Sequence, residues 1–161
     1  MSAPAILRRI GAAPVLGCAL IGCTTVDPGG NFVVPETNFD PDYFYCHVEP
    51  ELIVAKRCGS GDPALGDRSN GCHFNSAAVT AMALRDHPAV DCAGGDHPLD
   101  RSQVGTGSPA QSNFEAVSFD MSKDYATAPL VVRPGGSNHP RAVIDRNDPQ
   151  ILRLLQTWAA R

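Results

Sequence analysis

A short apolar stretch near the N-terminus constrains this chain more than any other feature. Residues 10–22 are mostly apolar, follow Arg8 and Arg9, and lead directly into Cys23. A stretch of this length is too short to span a bilayer as a helix, and its basic flank is typical of a targeting segment that is removed on export. The folded domain is therefore built from the residues after position 22, in a compartment that permits disulfides.

The end of this stretch, Leu20-Ile21-Gly22-Cys23, resembles the lipobox of bacterial lipoproteins. The resemblance implies a signal peptide at 1–22, lipid on Cys23 and a lipidated tether over 23–40. It also implies a cell-envelope protein held to a membrane by its lipid, and Thr24 in place of Asp implies the outer membrane. Cys18 matches the lipobox less well, and an ordinary signal peptide that happens to contain a cysteine is the alternative.

Charge and motifs exclude several classes of function. The chain has 13 Lys and Arg against 17 Asp and Glu, and loss of Arg8 and Arg9 leaves the mature domain more acidic still. Because it has no basic patch, nucleic acid is not an expected partner. The sequence also lacks a G-x-S-x-G elbow, an H-E-x-x-H helix and a P-loop, so we do not expect a hydrolase or any other enzyme.

The region 41–161 is predicted to be one small, mainly α domain with long loops. Asp40 and Pro41 are typical of an N-cap and a first helical position, and they start a predicted helix over 41–57. Pro50 lies inside this helix and is expected to kink or divide it. Its predicted apolar face consists of Phe44, Tyr45, Val48, Leu52, Ile53 and Ala55.

The clearest predicted element is the last helix. Asp148 and Pro149 repeat the combination of N-cap and first-position proline that starts the first helix. The residues after them form one apolar stripe, in which Trp158 is the expected core anchor. The members of the stripe are Ile151, Leu154, Leu155 and Trp158.

The middle of the domain carries weaker signals. Glycine and polar residues predict loops over 59–71 and 92–113, with a second helix between them over 76–85. Segments 114–121 and 130–133 are expected to be short strands or extended chain. The second helix would turn Val79, Met82 and Ala83 inward.

Four cysteines belong to the mature domain beyond the lipidated one: Cys46, Cys58, Cys72 and Cys92. An even number in an exported domain indicates disulfides, and four cysteines allow three pairings that the sequence alone leaves open. A zinc site built from these cysteines with His47 and His73 is disfavoured, because the spacings match no common zinc site and the compartment is oxidising.

Cys58, Cys72 and His73 suggest a second use for two of these cysteines. Attachment of a c-type haem needs two thiols and a histidine, usually spelled C-x-x-C-H. Here thirteen residues separate Cys58 from Cys72-His73, and a loop of that length can bulge out while its ends stay close. The alternative is a Cys58–Cys72 disulfide with His73 on the surface.

The order of the elements resembles small cytochrome c-like domains, and bacterial lipoproteins whose haem motif is stretched or degenerate. The stretches that carry the resemblance are Tyr43-Phe44-Tyr45-Cys46-His47-Val48-Glu49-Pro50-Glu51, Gly71-Cys72-His73, Asn138-His139-Pro140-Arg141 and Leu155-Gln156-Thr157-Trp158-Ala159. They extend over nearly the whole of 41–161, and the departure is the missing C-x-x-C-H.

The resemblance implies a cytochrome c-like fold with one haem c held by Cys58 and Cys72. His73 would be the proximal ligand to the metal, with His139 as the first choice for the distal ligand and Met121 as the second. Cys46 and Cys92 would be left to pair in a disulfide. The implied function is electron transfer with a redox partner protein, and the alternative is a haem-free, disulfide-stabilised lipoprotein of the envelope that binds another molecule.

Overall fold

The computed structural model describes residues 38–67, 71–77, 79, 82–136 and 139–161. The predicted signal peptide, Cys18, the lipidated Cys23 and most of the predicted tether lie outside these residues. Within them the chain is helical, with 44% of residues in helices and no strand. The mainly α class is therefore confirmed.

The N-terminal helix begins where Asp40 and Pro41 predict it. It starts as α1 (Pro41–Tyr43) and continues as a π-helix (Phe44–Val54), with the Asp40 carboxylate accepting from the amides of the first turn. Pro50 has no N–H and its ring crowds the preceding turn, and a wider π-helical turn accommodates both effects. The helix ends at Val54 rather than at residue 57, so the prediction that Ala55 lies on its buried face is wrong, because Ala55 is exposed.

The last helix, α4, closes the core against the N-terminal helix. It covers Pro149–Ala160 and is capped by the Asp148 carboxylate, as predicted. Trp158 and Phe44 are fully buried with ring centroids 5.5 Å apart. The Trp158 indole donates to the carbonyl of Asp40 at 2.9 Å, so the two ends of the described domain are joined through one side chain.

The helix predicted over 76–85 is wrong for the part that the structure describes. Residues 82–85 form no regular secondary structure, Met82 has a positive φ of 52°, Ala83 is exposed, and Leu84 is the buried side chain. Long-range bonds hold this segment in place: the Leu84 amide donates to the His73 carbonyl, and the Arg85 amide donates to the Asn113 side chain. Residues 78, 80 and 81 lie outside the described part of the chain.

Two short helices replace the predicted loop and strands of the second half. Helix α2 (Pro109–Phe119) occupies the end of the predicted loop and most of the segment expected to be extended, and α3 (Pro129–Val132) replaces the second extended segment. Ser108 caps α2 by accepting from the Gln111 amide, and the Gln111 side chain accepts from the Gly107 amide. The helix buries only Ala110, Asn113 and Val117, so it lacks the long apolar stripe that identifies α4.

The loop between residues 92 and 108 is fastened to the N-terminal helix. Cys46 and Cys92 form a disulfide, as the resemblance to cytochrome c-like domains implied. The Asp42 carboxylate accepts hydrogen bonds from Nη1 and Nη2 of Arg101, each at 2.6 Å. His47 adds a further contact to this loop, at 2.9 Å from Asp96. The long loop, which contains one 3₁₀ helix (Arg101–Val104), is therefore held in place by covalent and charged contacts.

None of the described helices is long and apolar enough to cross a membrane.

Candidate functional site

The two ends of the thirteen-residue insert between Cys58 and Cys72 meet. The His73 amide donates to the Cys58 carbonyl at 3.1 Å, and the Cys72 amide donates to the Gly59 carbonyl at 2.9 Å. The insert itself bulges away through a short 3₁₀ turn at Pro63–Leu65. The backbone therefore brings Cys58 and Cys72-His73 together, as the stretched motif requires.

The His73 ring is held by a backbone carbonyl. Its Nδ1 donates to the Met82 carbonyl at 2.9 Å, which leaves Nε2 as the nitrogen that can bind a metal. Burial lowers the pKa of His73, and the nearby His139 acts in the same direction while the bond to Met82 opposes it. A neutral imidazole is the form that ligates metals.

His139 faces His73 in a nearly parallel arrangement. The two ring centroids are 6.2 Å apart and the ring planes differ by 14°. The Nδ1 of His139 donates to the Arg141 carbonyl at 2.7 Å. Both histidines are therefore oriented in the same way, with Nδ1 bonded to a backbone carbonyl as is usual for metal-ligating histidines.

An apolar cleft surrounds the two rings. It is lined by side chains from the π-helix, from α3 and from the segment after His139, and Cys58 and Cys72 also line it. The cavity volume is only about 20 Å³, close to the space for one water. The apolar wall residues are Leu52, Ile53, Met82, Leu130, Pro134, Val143 and Ile144.

The Cys58 thiol is buried and is not bonded to another cysteine. Burial raises its pKa to about 11, with Arg141 opposing the shift. This thiol therefore stays protonated at neutral pH. The alternative of a Cys58–Cys72 disulfide is not what the structure contains, since its disulfide joins Cys46 and Cys92.

Met121, the second choice for a distal ligand, lies elsewhere. Its side chain is buried in the core and does not line the cleft. Met82 lines the cleft instead, although the sequence placed it on the inward face of a helix that does not form. Nothing local in the sequence marks Met82, whose carbonyl accepts from the His73 ring in a segment that is not helical where the structure describes it.

Zinc coordination receives no support from the described residues. They contain no group of three or more histidine, cysteine, aspartate or glutamate side chains arranged to hold a metal ion. Cys46 and Cys92 are also consumed by their disulfide.

A second cavity lies next to the cleft and shares Ile53 and Arg57 with it. Its volume is about 350 Å³. The buried Glu49 carboxylate accepts from the Asn113 amide at 2.8 Å and lies 3.0 Å from His87 Nε2. The sequence assigns neither Glu49 nor His87 a role, and no local pattern predicts that these two residues meet.

Comparison with known proteins gives little. No family model matches the chain, and no solved structure matches it. The chain is 36% identical over 77 residues to phosphoribosylformylglycinamidine cyclo-ligases from serogroup C and serogroup A strains of Neisseria meningitidis. The match covers 47% of this chain and 22% of each enzyme. The chain thus spans about a fifth of the length of the curated relatives it matches, and the similarity assigns no activity.

Proposed function

We propose that this protein is a membrane-anchored electron carrier with a cytochrome c-like domain and a single haem c. Cys58 and Cys72 would hold the haem through thioethers, and His73 and His139 would be the residues that bind its iron. Lipid on Cys23 would hold the protein in the cell envelope, at the outer membrane.

The pairing of His73 with His139 is the observation that carries the proposal. A metal bonded to two imidazoles at about 2 Å from each nitrogen separates the ring centroids by about 6 Å. The observed separation of 6.2 Å is the one that a metal between the two Nε2 atoms would require. The carbonyl bonds to both Nδ1 atoms direct each histidine to bind through Nε2.

The cysteines fit the same group. The insert closes at its base, so both thiols lie on the cleft that contains the two rings. Each thioether would form when a thiol adds across a vinyl group: sulfur bonds to one vinyl carbon and the thiol hydrogen goes to the other. The addition conserves all atoms and leaves no other product.

The chain would supply burial, orientation and ligands. Leu52, Ile53 and Leu130 exclude water from the site, and ligation by two histidines favours a lower reduction potential than ligation by histidine and methionine. The haem, when bound, would supply one-electron redox chemistry. Donor and acceptor would be redox partner proteins that meet the anchored domain in the envelope.

The first experiment is a test of covalent haem. The full chain is exported in a host with haem-attachment machinery, denatured under reducing conditions, and examined for haem absorbance that stays with the polypeptide. We expect covalent haem on the natural chain and none on the Cys58→Ser/Cys72→Ser variant. A colourless natural chain would overturn the electron-carrier proposal.

A matched control uses the other cysteine pair. The Cys46→Ala/Cys92→Ala variant also loses two cysteines, but it keeps Cys58 and Cys72. We expect it to retain covalent haem. Loss of haem from this variant, with retention in the Cys58→Ser/Cys72→Ser variant, would reverse the roles assigned to the two pairs.

The anchor needs its own test. A Cys23→Ala variant should move from the membrane fraction to the soluble periplasmic fraction and lose labelling by a fatty acid. Unchanged fractionation of that variant would contradict lipid anchoring at Cys23 without affecting the haem proposal.

A second candidate is a haem-free envelope protein that binds another molecule. The volumes of the two cavities favour it: the cleft between the histidines holds about 20 Å³, whereas the cavity beside Glu49 holds about 350 Å³. The larger volume lies within the usual range for small-molecule sites, of about 300–1,000 Å³. A colourless, stable and correctly disulfide-bonded protein would favour this candidate.

A further inference from the structure

The insert between the two cysteines contacts the segment that carries His139. The carboxylate of Asp67, in the insert, accepts hydrogen bonds from Arg141 Nε at 2.8 Å and from Arg141 Nη2 at 2.6 Å. The Asp67 side chain is 8% exposed and that of Arg141 is 23% exposed. Exposed ion pairs contribute little to stability, but this pair is bidentate and shielded, which makes it geometrically specific.

Arg141 connects this ion pair to the His139 ring. Its guanidinium binds Asp67, while its backbone carbonyl accepts from His139 Nδ1 at 2.7 Å. A displacement of the Arg141 backbone would therefore turn the His139 ring. The segment is fixed further along, where the Val143 amide donates to the Pro134 carbonyl at 2.8 Å.

The insert is in turn fixed against Cys72. The Asp67 carboxylate accepts from the Asp62 amide at 2.6 Å, which closes a small ring within the insert. Gly61 has a φ of +73°, and a Cβ at this position would approach Cys72 Sγ to 2.8 Å and Asp67 Cβ to 3.0 Å. Gly61 and Asp67 in the described part of the insert are therefore fixed against Cys72 and Arg141.

We propose that the Asp67–Arg141 ion pair positions His139, so that the residues between the two cysteines hold the distal ligand in place. This inference rests on the proposed haem function. Asp67 and Arg141 would be positioning residues, because they act on the histidine and do not touch the metal. The insert would then have a role that a two-residue spacer between the cysteines cannot perform, since such a spacer carries no side chain to Arg141.

The main test measures how firmly His139 is held in haem-loaded protein. Cyanide competes with a distal histidine for ferric haem, so weaker ligation by His139 appears as tighter cyanide binding. We expect Asp67→Asn to keep its covalent haem and to lower the apparent Kd for cyanide by about tenfold, the effect typical of a lost outer-shell partner. His139→Ala sets the limit for an absent ligand.

The matched control is Asp42→Asn. Asp42 also accepts two hydrogen bonds from one arginine, Arg101. The Asp42 side chain is 12% exposed and does not line the cleft. The cyanide affinity of the haem-loaded Asp42→Asn variant should equal that of the natural chain. A haem-loaded Asp67→Asn protein whose cyanide affinity also equals that of the natural chain would overturn the positioning role and leave the haem proposal intact.

A second measurement needs no haem. Amide hydrogen exchange in the haem-free full chain should be faster at Val143 and Ile144 in Asp67→Asn than in Asp42→Asn or the natural chain. Equal exchange in all three proteins would overturn the inference even if the natural chain proved colourless. A colourless natural chain with faster exchange in Asp67→Asn would overturn the haem function, and with it the ligand role, while showing that the ion pair fixes the segment.

Discussion

Removal of the Cys46–Cys92 disulfide should cost this domain a large part of its stability. The two cysteines are 46 residues apart in the sequence. In the chain-entropy model, a cross-link over a loop of this length lowers the entropy of the unfolded chain by about 13–14 cal/mol/K, which corresponds to about 4 kcal/mol at 25 °C. That is a substantial share of the roughly 5–15 kcal/mol by which domains are usually stable.

The assay is urea unfolding of haem-free protein, for the natural chain and for Cys46→Ala/Cys92→Ala. With a urea dependence of about 2 kcal/mol/M, the midpoint should fall by about 2 M. The slope of the unfolding free energy against urea concentration should rise, because an unfolded chain without its cross-link exposes more surface. The helical circular dichroism should persist at 0 M urea, since the Asp42–Arg101 contacts still hold the loop.

The Cys58→Ala/Cys72→Ala variant provides the comparison. This variant loses two thiols but no cross-link. The slope of its unfolding free energy against urea should therefore be unchanged, and its free energy of unfolding should fall by about 1 kcal/mol per substitution. A loss below about 1 kcal/mol on removing the disulfide would refute the reasoning from loop length. It would mean that the unfolded chain is already restricted between residues 46 and 92.

Three further outcomes are expected. Trp158→Ala should lower the free energy of unfolding by about 3–5 kcal/mol, because it empties a fully buried site, and thermal unfolding checks this; a loss under about 1 kcal/mol would contradict its anchoring role. Hydrogen bonds from Arg141 hold the pKa of Asp67 at about 2. The ionised Asp67 carboxylate therefore stabilises the folded chain fully above about pH 4, and this stabilisation is lost as pH falls towards 2. Stability of the natural chain should therefore fall more steeply over that range than stability of Asp67→Asn, and parallel curves would contradict the assignment. Gly61→Ala should be more destabilising than Gly66→Ala, since both glycines have positive φ but only Gly61 is crowded, and equal urea midpoints would count against the close packing of the insert.

The two terminal helices were predictable because their signals are local. An aspartate followed by proline starts each one, and Trp158 with its neighbours repeats at helical spacing. The π-helical geometry around Pro50 was not predictable in detail. A proline inside an apolar period indicates a disturbance but does not say whether the helix kinks, stops or widens.

The middle of the domain was predicted poorly because distant partners decide its structure. Residues 82–85 are not helical, and Asn113 and His73 bind their backbone instead; no local pattern reports those contacts. Helix α2 buries Asn113 on the face where the sequence pattern calls for an apolar residue. The Ser108-Pro109 start was a usable local signal, comparable with Asp148-Pro149, that was overlooked.

The candidate site likewise contains residues that the sequence predicts and residues whose roles depend on distant contacts. Its main side chains were named from a resemblance of motifs, and the structure brings Cys58, Cys72, His73 and His139 to one cleft. The groups that orient them, the Met82 carbonyl and Arg141, were not predictable. Their roles depend on backbone carbonyls and on one long-range ion pair, and neither leaves a pattern in the sequence.

The contact between Trp158 and Asp40 sets an order of events for maturation. These residues are separated by 118 positions, so the core cannot close until the last helix is present. Until the last helix is present, Phe44 therefore lacks one of its aromatic partners, Trp158. Cys58 is only 8% exposed in the folded domain, so its thiol is more accessible before the core closes than afterwards. If Cys58 holds the proposed haem, the attachment would have to precede the final folding step, and a chain that folds too early would remain unmodified.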